Sequence, residues 1–284
     1  MKKNNYIILG NSGFIGRNLQ KYLKRKKKSV IGFSSKKINL LVKTDALKLS
    51  RFIDSNSIII FLSFNKNQKN ATTSELKKNL LMTENFLNVL EKKKPKMVIF
   101  FSSQTVYGEN THNLNITEKT LPNPTSFYGI AKYTSERMIN KYCLEKEITF
   151  MIIRIPRIYG SDDDINNYGP TKFIYYYKKN KKLDLWGDGK EKRDYLHIND
   201  LNKIVLKLIM KNFNGLINIC SGVNYSFLQI INYIEVLTGN KFSFKKKKRS
   251  RPKVDHGMKN KFLKKVIGNY KFVPLRDGLK SLLN

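Results

Sequence analysis

The 284 residues carry 55 Lys and Arg against 21 Asp and Glu, a formal charge of +34, and are enough to bury a sizeable core as one large α/β domain or as a domain with a smaller partner. Such a charge would attract polyanions, but the cations are scattered in runs at 24–28, 92–94, 178–182 and 245–249 amid abundant Asn and Ile, so they read as solvated faces and no nucleic-acid partner is expected. Cys143 and Cys220 form neither a disulfide framework nor a metal spacing, and no apolar run approaches the ~20 residues of a membrane span, so a reducing, cytoplasmic setting without metal or membrane span is expected.

In chain order, the N-terminus begins like a signal peptide, yet Gly and Asn break its apolar stretch within a few residues. Short apolar runs at 6–9, 30–33, 58–62, 97–101 and 149–154 predict strands. Between them, amphipathic stretches at 14–26, 71–93 and 127–146 predict helices. Strands that are apolar throughout, each followed by a helix, are the pattern of a doubly wound parallel sheet covered on both faces. Beyond Gly160 come the aromatic stretch "KFIYYYKKN", a turn in "WGDGKEKRD", a helix near 199–211, a strand near 216–219, a helix near 226–237 and a basic tail. The expected division is a dinucleotide-binding domain over 1–160, with 194–220 returning to it, and a smaller C-terminal lobe made mainly of 161–284.

"YIILGNSGFIGRNL" places Gly10, Gly13 and Gly16 between the first strand and the first helix. A loop there must turn tightly and let backbone N–H groups approach a diphosphate at the helix N-terminus, where a Cβ would obstruct. The first spacing is two residues where the dinucleotide fingerprint has one, and a glycine trio by itself is also an ordinary strand-to-helix turn; the flanking strand and helix favour the cofactor reading. After the second strand, where an NAD site would carry a carboxylate, the chain reads "GFSSKK". Ser34, Ser35, Lys36 and Lys37 offer hydroxyls and cations for a 2′-phosphate, which favours NADP(H) with NAD(H) the alternative.

In "SFYGIAKYTSE", Tyr128 and Lys132 lie four apart, on one face of a predicted helix. An ammonium near a phenol favours the phenolate and lowers a pKa that is ordinarily near 10, which predicts an acid/base pair. The strand ending in "MVIFFSSQTVYG" sets Ser102 and Ser103 at the carboxyl edge of the sheet, where open α/β folds bind ligands.

Taken together, "GNSGFIG", "FFSSQTVYGE", "NPTSFYGIAKYTSE", "RIPRIYG", "LWGDGKEKRDYLHINDL", "GLINICSG" and "SRPKVD" resemble, nearly end to end, the extended short-chain dehydrogenase/reductase family, in its NAD(P)-dependent nucleotide-sugar epimerase/dehydratase branch. The resemblance implies a Rossmann-type sheet with a substrate-binding lobe, a nucleotide-diphosphate sugar as substrate and a homodimer. It implies catalytic roles for Ser103, Tyr128 and Lys132: the tyrosine exchanges a proton with a sugar hydroxyl or ketone, the lysine also holds the nicotinamide ribose, and hydride passes between the nicotinamide and the sugar. The cofactor-binding set it suggests is Gly10, Gly13, Phe14, Ile15, Gly16, Ser34, Ser35, Lys36, Asn39, Leu40, Leu62 and Ser63, with Tyr128 and Lys132. For the substrate it suggests Ser103, Gln104, Thr105 and Arg193, with Arg251 for the diphosphate, and in the aromatic stretch Phe173 is a candidate to line the sugar pocket.

The 4,6-dehydratases of the branch carry an Asp-Glu pair where Gln104 and Thr105 stand, and its GDP-fucose synthases carry a Cys where Thr105 stands, so both chemistries are disfavoured. A C4 epimerase or a 4-ketoreductase remains, and a non-catalytic dinucleotide-binding sensor or assembly protein is the alternative from another class. His112, His197 and His256 show no ligand pairing. Trp186 and the tyrosines of "IYYY" are expected to pack the smaller lobe, with Tyr177 a further candidate for the sugar pocket.

Overall fold

The computed structural model of the chain describes residues 4–65, 72–163, 169–249 and 252–284. In chain order the elements are β1 (Asn5–Leu9), α1 (Phe14–Arg25), β2 (Ser29–Phe33), α2 (Lys43–Leu47), β3 (Ser57–Phe61), α3 (Thr73–Leu90), β4 (Met97–Phe101), β5 (Asn113–Ile116), α4 (Phe127–Glu145), β6 (Thr149–Arg154) and β7 (Arg157–Tyr159). They continue with α5 (Pro170–Lys178), β8 (Leu183–Trp186), β9 (Lys192–His197), α6 (Ile198–Met210), β10 (Gly215–Asn218), β11 (Asn224–Ser226), α7 (Phe227–Thr238), β12 (Phe244–Lys247), β13 (His256–Met258), α8 (Lys261–Ile267) and α9 (Leu275–Leu283). Short 3₁₀ turns occupy Lys48–Phe52 and Gln104–Tyr107.

Contacts divide the chain into two compact units, residues 1–109, 121–154 and 205–217 in the first, and 110–120, 155–204 and 218–284 in the second. The segment that rejoins the sheet-bearing unit is therefore 205–217, while 194–204 belongs with the second unit.

The first unit is built on a six-stranded sheet in the order β2-β1-β3-β4-β6-β10. β1 pairs in parallel with both β2 and β3, β3 with β4, and β4 with β6. Every residue of β3 and β4 is buried, as their unbroken apolar sequences "SIIIF" and "MVIFF" require of strands covered on both faces. Ile7, Leu9, Phe61, Phe86, Phe100 and Ile152 form the centre of one continuous core. From β1 the chain moves to β2 on one side of the sheet and on to β3 on the other, so the carboxyl ends of β1 and β3 flank a switch point, the place where open α/β sheets bind ligands.

The second unit holds a sheet in the order β11-β9-β13-β5, with β7 also paired to β9, and a separate β8–β12 ribbon. Its core gathers Tyr159, Phe173, Ile174, Leu185, Phe227, Ile231 and Leu275. The expectation that Phe173 lines a sugar pocket is corrected here: its ring is 0% exposed, packed against Phe227 and Phe242, because α5 turns this side of "KFIYYY" inward. Tyr177 is partly buried and packs against Phe242. Asp194 ties β9 to the 221–222 turn, accepting from the Ser221 hydroxyl at 2.8 Å and from the Gly222 N–H at 2.9 Å. No helix among the described residues is long and apolar enough to cross a membrane.

Candidate active site

The glycine loop answers to two constraints. Gly10 has φ +89°, and a Cβ on it would lie 2.8 Å from the Ser63 amide nitrogen, while one on Gly16 would lie 2.3 Å from the Gly10 carbonyl oxygen. Both glycines are demanded by the fold itself, one for its left-handed backbone and one for close helix–strand packing. Gly13 differs, since a Cβ there would meet the chain no closer than 3.5 Å. Gly13 caps α1, yet no side chain caps the helix and no acidic residue sits in its first turn. The N–H groups of Phe14, Ile15 and Gly16 thus open a helix whose positive end is uncompensated from within, the arrangement that receives a phosphate. These residues fit a dinucleotide diphosphate, with Gly13 giving the clearance.

Beside this loop lies a cavity of about 370 Å³ lined by Asn11, Ser12, Arg17, Gln20, Lys21, Lys24 and Ser34. No carboxylate lines it. Its cations come from one face of α1, whereas Ser35, Lys36 and Lys37 are exposed on a turn closed by N–H bonds from Lys37 and Ile38 to the Ser34 carbonyl. Asn39 closes a local turn, its side-chain oxygen accepting from the Leu41 N–H at 3.0 Å, and Leu40 is buried in the core. Leu62 extends the β3 ladder through its N–H to the Leu9 carbonyl at 2.9 Å. Leu62 and Ser63 therefore run directly against the glycine loop.

The second half of the site is built on β4 and α4. Ser103 follows β4 and caps the 3₁₀ turn, its hydroxyl accepting from the Thr105 N–H at 3.2 Å. Ser126 caps α4 by accepting from the Gly129 N–H at 3.0 Å, and that first turn presents Tyr128, whose phenol lies beside the Ser103 hydroxyl. Part of the ring stays accessible, but the phenol is densely enclosed by protein, and this desolvation pushes its pKa well above the usual phenol value. The Ser103 hydroxyl acts in the opposite direction, and the nearby Glu109 charge adds to the rise.

The expectation of a phenol made acidic by Lys132 is therefore corrected, because in this arrangement burial dominates. Lys132 is 3% exposed; its ammonium donates to the Phe101 carbonyl at 2.6 Å and lies 3.7 Å from the Phe64 ring centroid and 5.9 Å from that of Tyr128. Phe64 also meets Tyr128 edge-on at 5.7 Å between centroids. It was not readable in the sequence, since "FLSFN" at the end of β3 carries no motif, and its closeness to Tyr128 comes from sheet order. Phe64 adjoins Ser63, so the glycine loop and the Ser103–Tyr128–Lys132 cluster are joined through residues 62–64. Near Ser103, the Ser102 and Thr105 hydroxyl oxygens and Gln104 Oε1 are buried without a hydrogen-bond partner among the described residues.

In the second unit, Arg193 is buried and engaged within its own lobe: it donates to Glu191, to the Val254 carbonyl and, at 2.8 Å, to the Lys192 carbonyl. Glu191 also accepts from Arg249 at 2.5 Å. Arg251 lies outside the described residues. His197 packs edge-on against Tyr159 at 5.2 Å.

Known proteins share this architecture. GDP-6-deoxy-D-talose 4-dehydrogenase of Aggregatibacter actinomycetemcomitans is 27% identical over 97% of this chain and 96% of its own length. A dTDP-D-glucose 4,6-dehydratase of Dictyostelium discoideum is 29% identical over 69% of this chain and 53% of its own. The solved UDP-glucose 4-epimerase of Thermus thermophilus, in complex with NAD, superposes with a TM-score of 0.87 at 17% identity, covering 98% of this chain and 97% of that one. Residues 6–220 match the NAD-dependent epimerase/dehydratase family, three quarters of the chain including the glycine loop, Ser103, Tyr128 and Lys132, and the chain belongs to that family.

Proposed function

We propose that the chain is an NADP(H)-dependent nucleotide-sugar 4-ketoreductase acting through Ser103, Tyr128 and Lys132. What supports this reading is the placement of the Tyr128 phenol beside the Ser103 hydroxyl, with the buried Lys132 ammonium held by the Phe101 carbonyl 5.9 Å from the Tyr128 ring centroid. A neutral phenol is the form that donates a proton, which is what reduction of a ketone requires. The nicotinamide cofactor supplies hydride to the sugar C4 when bound. Tyr128 passes its proton to the C4 oxygen as that bond forms, so the carbonyl becomes a hydroxyl, and the phenolate left behind takes a proton back from solvent. Ser103 holds the same oxygen in line. Lys132 supplies a fixed positive charge that stabilises the transient phenolate.

Two features favour reduction over the neighbouring chemistries. Gln104 and Thr105 provide neither an acid nor a base for eliminating water, which argues against dehydration. The A. actinomycetemcomitans relative, matched over nearly its whole length, is by its name a dehydrogenase at C4 of a GDP-linked 6-deoxy sugar, so a GDP-linked 4-keto-6-deoxy sugar is the first substrate to try. A 4-epimerase would use the same three residues with no net consumption of cofactor, and stoichiometric NADPH oxidation separates the two. The preference for NADP(H) rests on the carboxylate-free cavity lined by Arg17, Lys21, Lys24 and Ser34.

Tyr128→Phe is expected to lower turnover by roughly 10²–10⁴-fold while NADPH affinity stays within a few-fold of normal. A variant that turns over normally would end the reading. For the cofactor, the double variant Arg17→Ala/Lys21→Ala is expected to weaken NADPH at least tenfold more than NADH, and Lys36→Ala/Lys37→Ala to weaken NADPH less than it does. Equal loss of both cofactors in the first pair would count against the 2′-phosphate assignment.

A further inference from the structure

α4 begins with an N-cap serine and has no acidic residue in its first turn, yet a carboxylate reaches that end from elsewhere in the sequence. Glu109, two residues after the 3₁₀ turn, accepts through Oε2 from both the N–H and the hydroxyl of Thr125 at 3.0 Å and through Oε1 from the Ser126 hydroxyl. Ser126 in turn accepts from the Gly129 N–H. A Cβ on Gly129 would stand 3.0 Å from Glu109 Oε1 and 3.1 Å from the Thr105 carbonyl oxygen, so the helix start is wedged between the carboxylate and the turn that follows Ser103. One side chain thus grips the two residues that lead into α4, from the loop that follows Ser103.

We propose that Glu109 is a positioning residue: by clamping Thr125 and Ser126 to the Ser103 loop it fixes the start of α4 so that the Tyr128 phenol meets Ser103. The proposal rests on the reading of Tyr128 as the proton donor. A carboxylate near the helix N-terminus also complements the helix dipole, which gives the clamp a reason to be charged. The groups facing Tyr128 are Ser103 from the 3₁₀ turn, Lys132 from α4 itself, the uncharged ring of Phe64 after β3, and Glu109. Among these charges Lys132 favours the phenolate and Glu109 opposes it, so removing Glu109 leaves the ammonium unopposed. A helix cap with no bearing on the chemistry would stabilise α4 without that electrostatic signature.

The test uses the full chain with NADP(H) and the GDP-linked sugar pair, measured in both directions across pH, for Glu109→Ala, Glu109→Gln and Tyr128→Phe. Loss of the clamp in Glu109→Ala is expected to reduce kcat by about 10–100-fold, with NADPH affinity within threefold of the parent, since a misplaced donor slows the step without unmaking the cofactor site. Glu109→Gln, nearly the same shape without the charge, is expected to recover much of kcat. In the oxidative direction, where the phenolate is the working form, its rising pH limb should lie about half a unit or more below that of the parent. Parental kcat in Glu109→Ala, or losses that are uniform with pH in both variants, would overturn the proposal. Should Glu109→Ala fail to fold, Glu109→Gln alone carries the test through its pH limb. An active Tyr128→Phe would instead remove the reading beneath it; an inactive Tyr128→Phe alongside unaltered Glu109 variants would sink the Glu109 proposal alone.

Discussion

Gly13 and Gly16 stand three residues apart in one turn and answer to different forces. A methyl group on Gly16 would sit 2.3 Å from the Gly10 carbonyl oxygen and 2.9 Å from the Asn11 Cα, both backbone atoms, so Gly16→Ala is expected to lower folding stability by roughly 1–3 kcal/mol, read as a shift in denaturant midpoint. At Gly13 the nearest atom is 3.5 Å away, and Gly13→Ala is expected to cost less than about 1 kcal/mol, the ordinary penalty of alanine at a helix cap. Its effect should fall on the ligand: dinucleotide binding, followed by titration calorimetry, is expected to weaken at least tenfold, because the added carbon occupies the approach to the α1 N–H groups. Equal destabilisation by both substitutions, with binding untouched in Gly13→Ala, would show that the loop is a turn and nothing more. The same scale explains why Tyr128 departs from a sequence-based expectation. Four-residue spacing puts Lys132 on the same helical face, but the ammonium is drawn to the Phe101 carbonyl and the Phe64 ring, and the phenol is left to the desolvation around it.

Among elements, α4, β6 and the 3₁₀ turn are held in register by one buried ion pair. Arg154, the last residue of β6, donates to Glu136 of α4 at 3.0 and 2.6 Å, and its guanidinium lies 4.6 Å from the Tyr107 ring centroid. Both side chains are almost wholly buried, so removing one charge strands the other without solvent. Glu136→Gln is expected to destabilise by about 3–5 kcal/mol, whereas the apolar pair Glu136→Leu/Arg154→Met should come much closer to neutral. Chemical denaturation of the two variants checks the ordering, and a Glu136→Gln protein as stable as its parent would remove the pair from the account of how α4 is placed. The elements of this unit were also the legible ones. β1, β3, β4 and β6 are continuous apolar runs, and α1, α3 and α4 start or stop within two or three residues of where their pattern predicts. β8, β9, β11, β12 and β13 gave little signal: "FKKK", "NYS" and "HGM" are short, and β12 and β11 are rich in polar residues, so their pairing depends on neighbours distant in sequence. Glycine spacing, the serines after β4 and the tyrosine–lysine pair were visible as local patterns. Phe64 and Glu109 were not, since each matters through a residue more than a dozen positions away.

At the scale of the whole molecule the dominant fact is a formal charge of +34 on 284 residues. Self-repulsion among these cations disfavours the compact state, and salt relieves it, since the screening length is about 8 Å at 0.15 M ionic strength. The opposing effect is loss of ion pairs, but several of those present, such as Lys141–Glu145 at 75% and 56% exposure, lie on the surface, where such pairs contribute little. Buried pairs such as Arg154–Glu136 are screened far less. Repulsion should therefore win: raising NaCl from about 20 to about 300 mM is expected to raise Tm by a few degrees, in a chain whose size gives roughly 2–4 °C per kcal/mol. NADPH affinity should move in the opposite direction over the same range, because the α1 cations attract an additional phosphate, while NADH affinity falls less. A Tm that is flat or falling with salt would mean that attraction between paired charges outweighs the net excess, and parallel losses of NADPH and NADH would mean that the excess acts on both cofactors through their shared diphosphate, with the row of Arg17, Lys21 and Lys24 adding no selectivity.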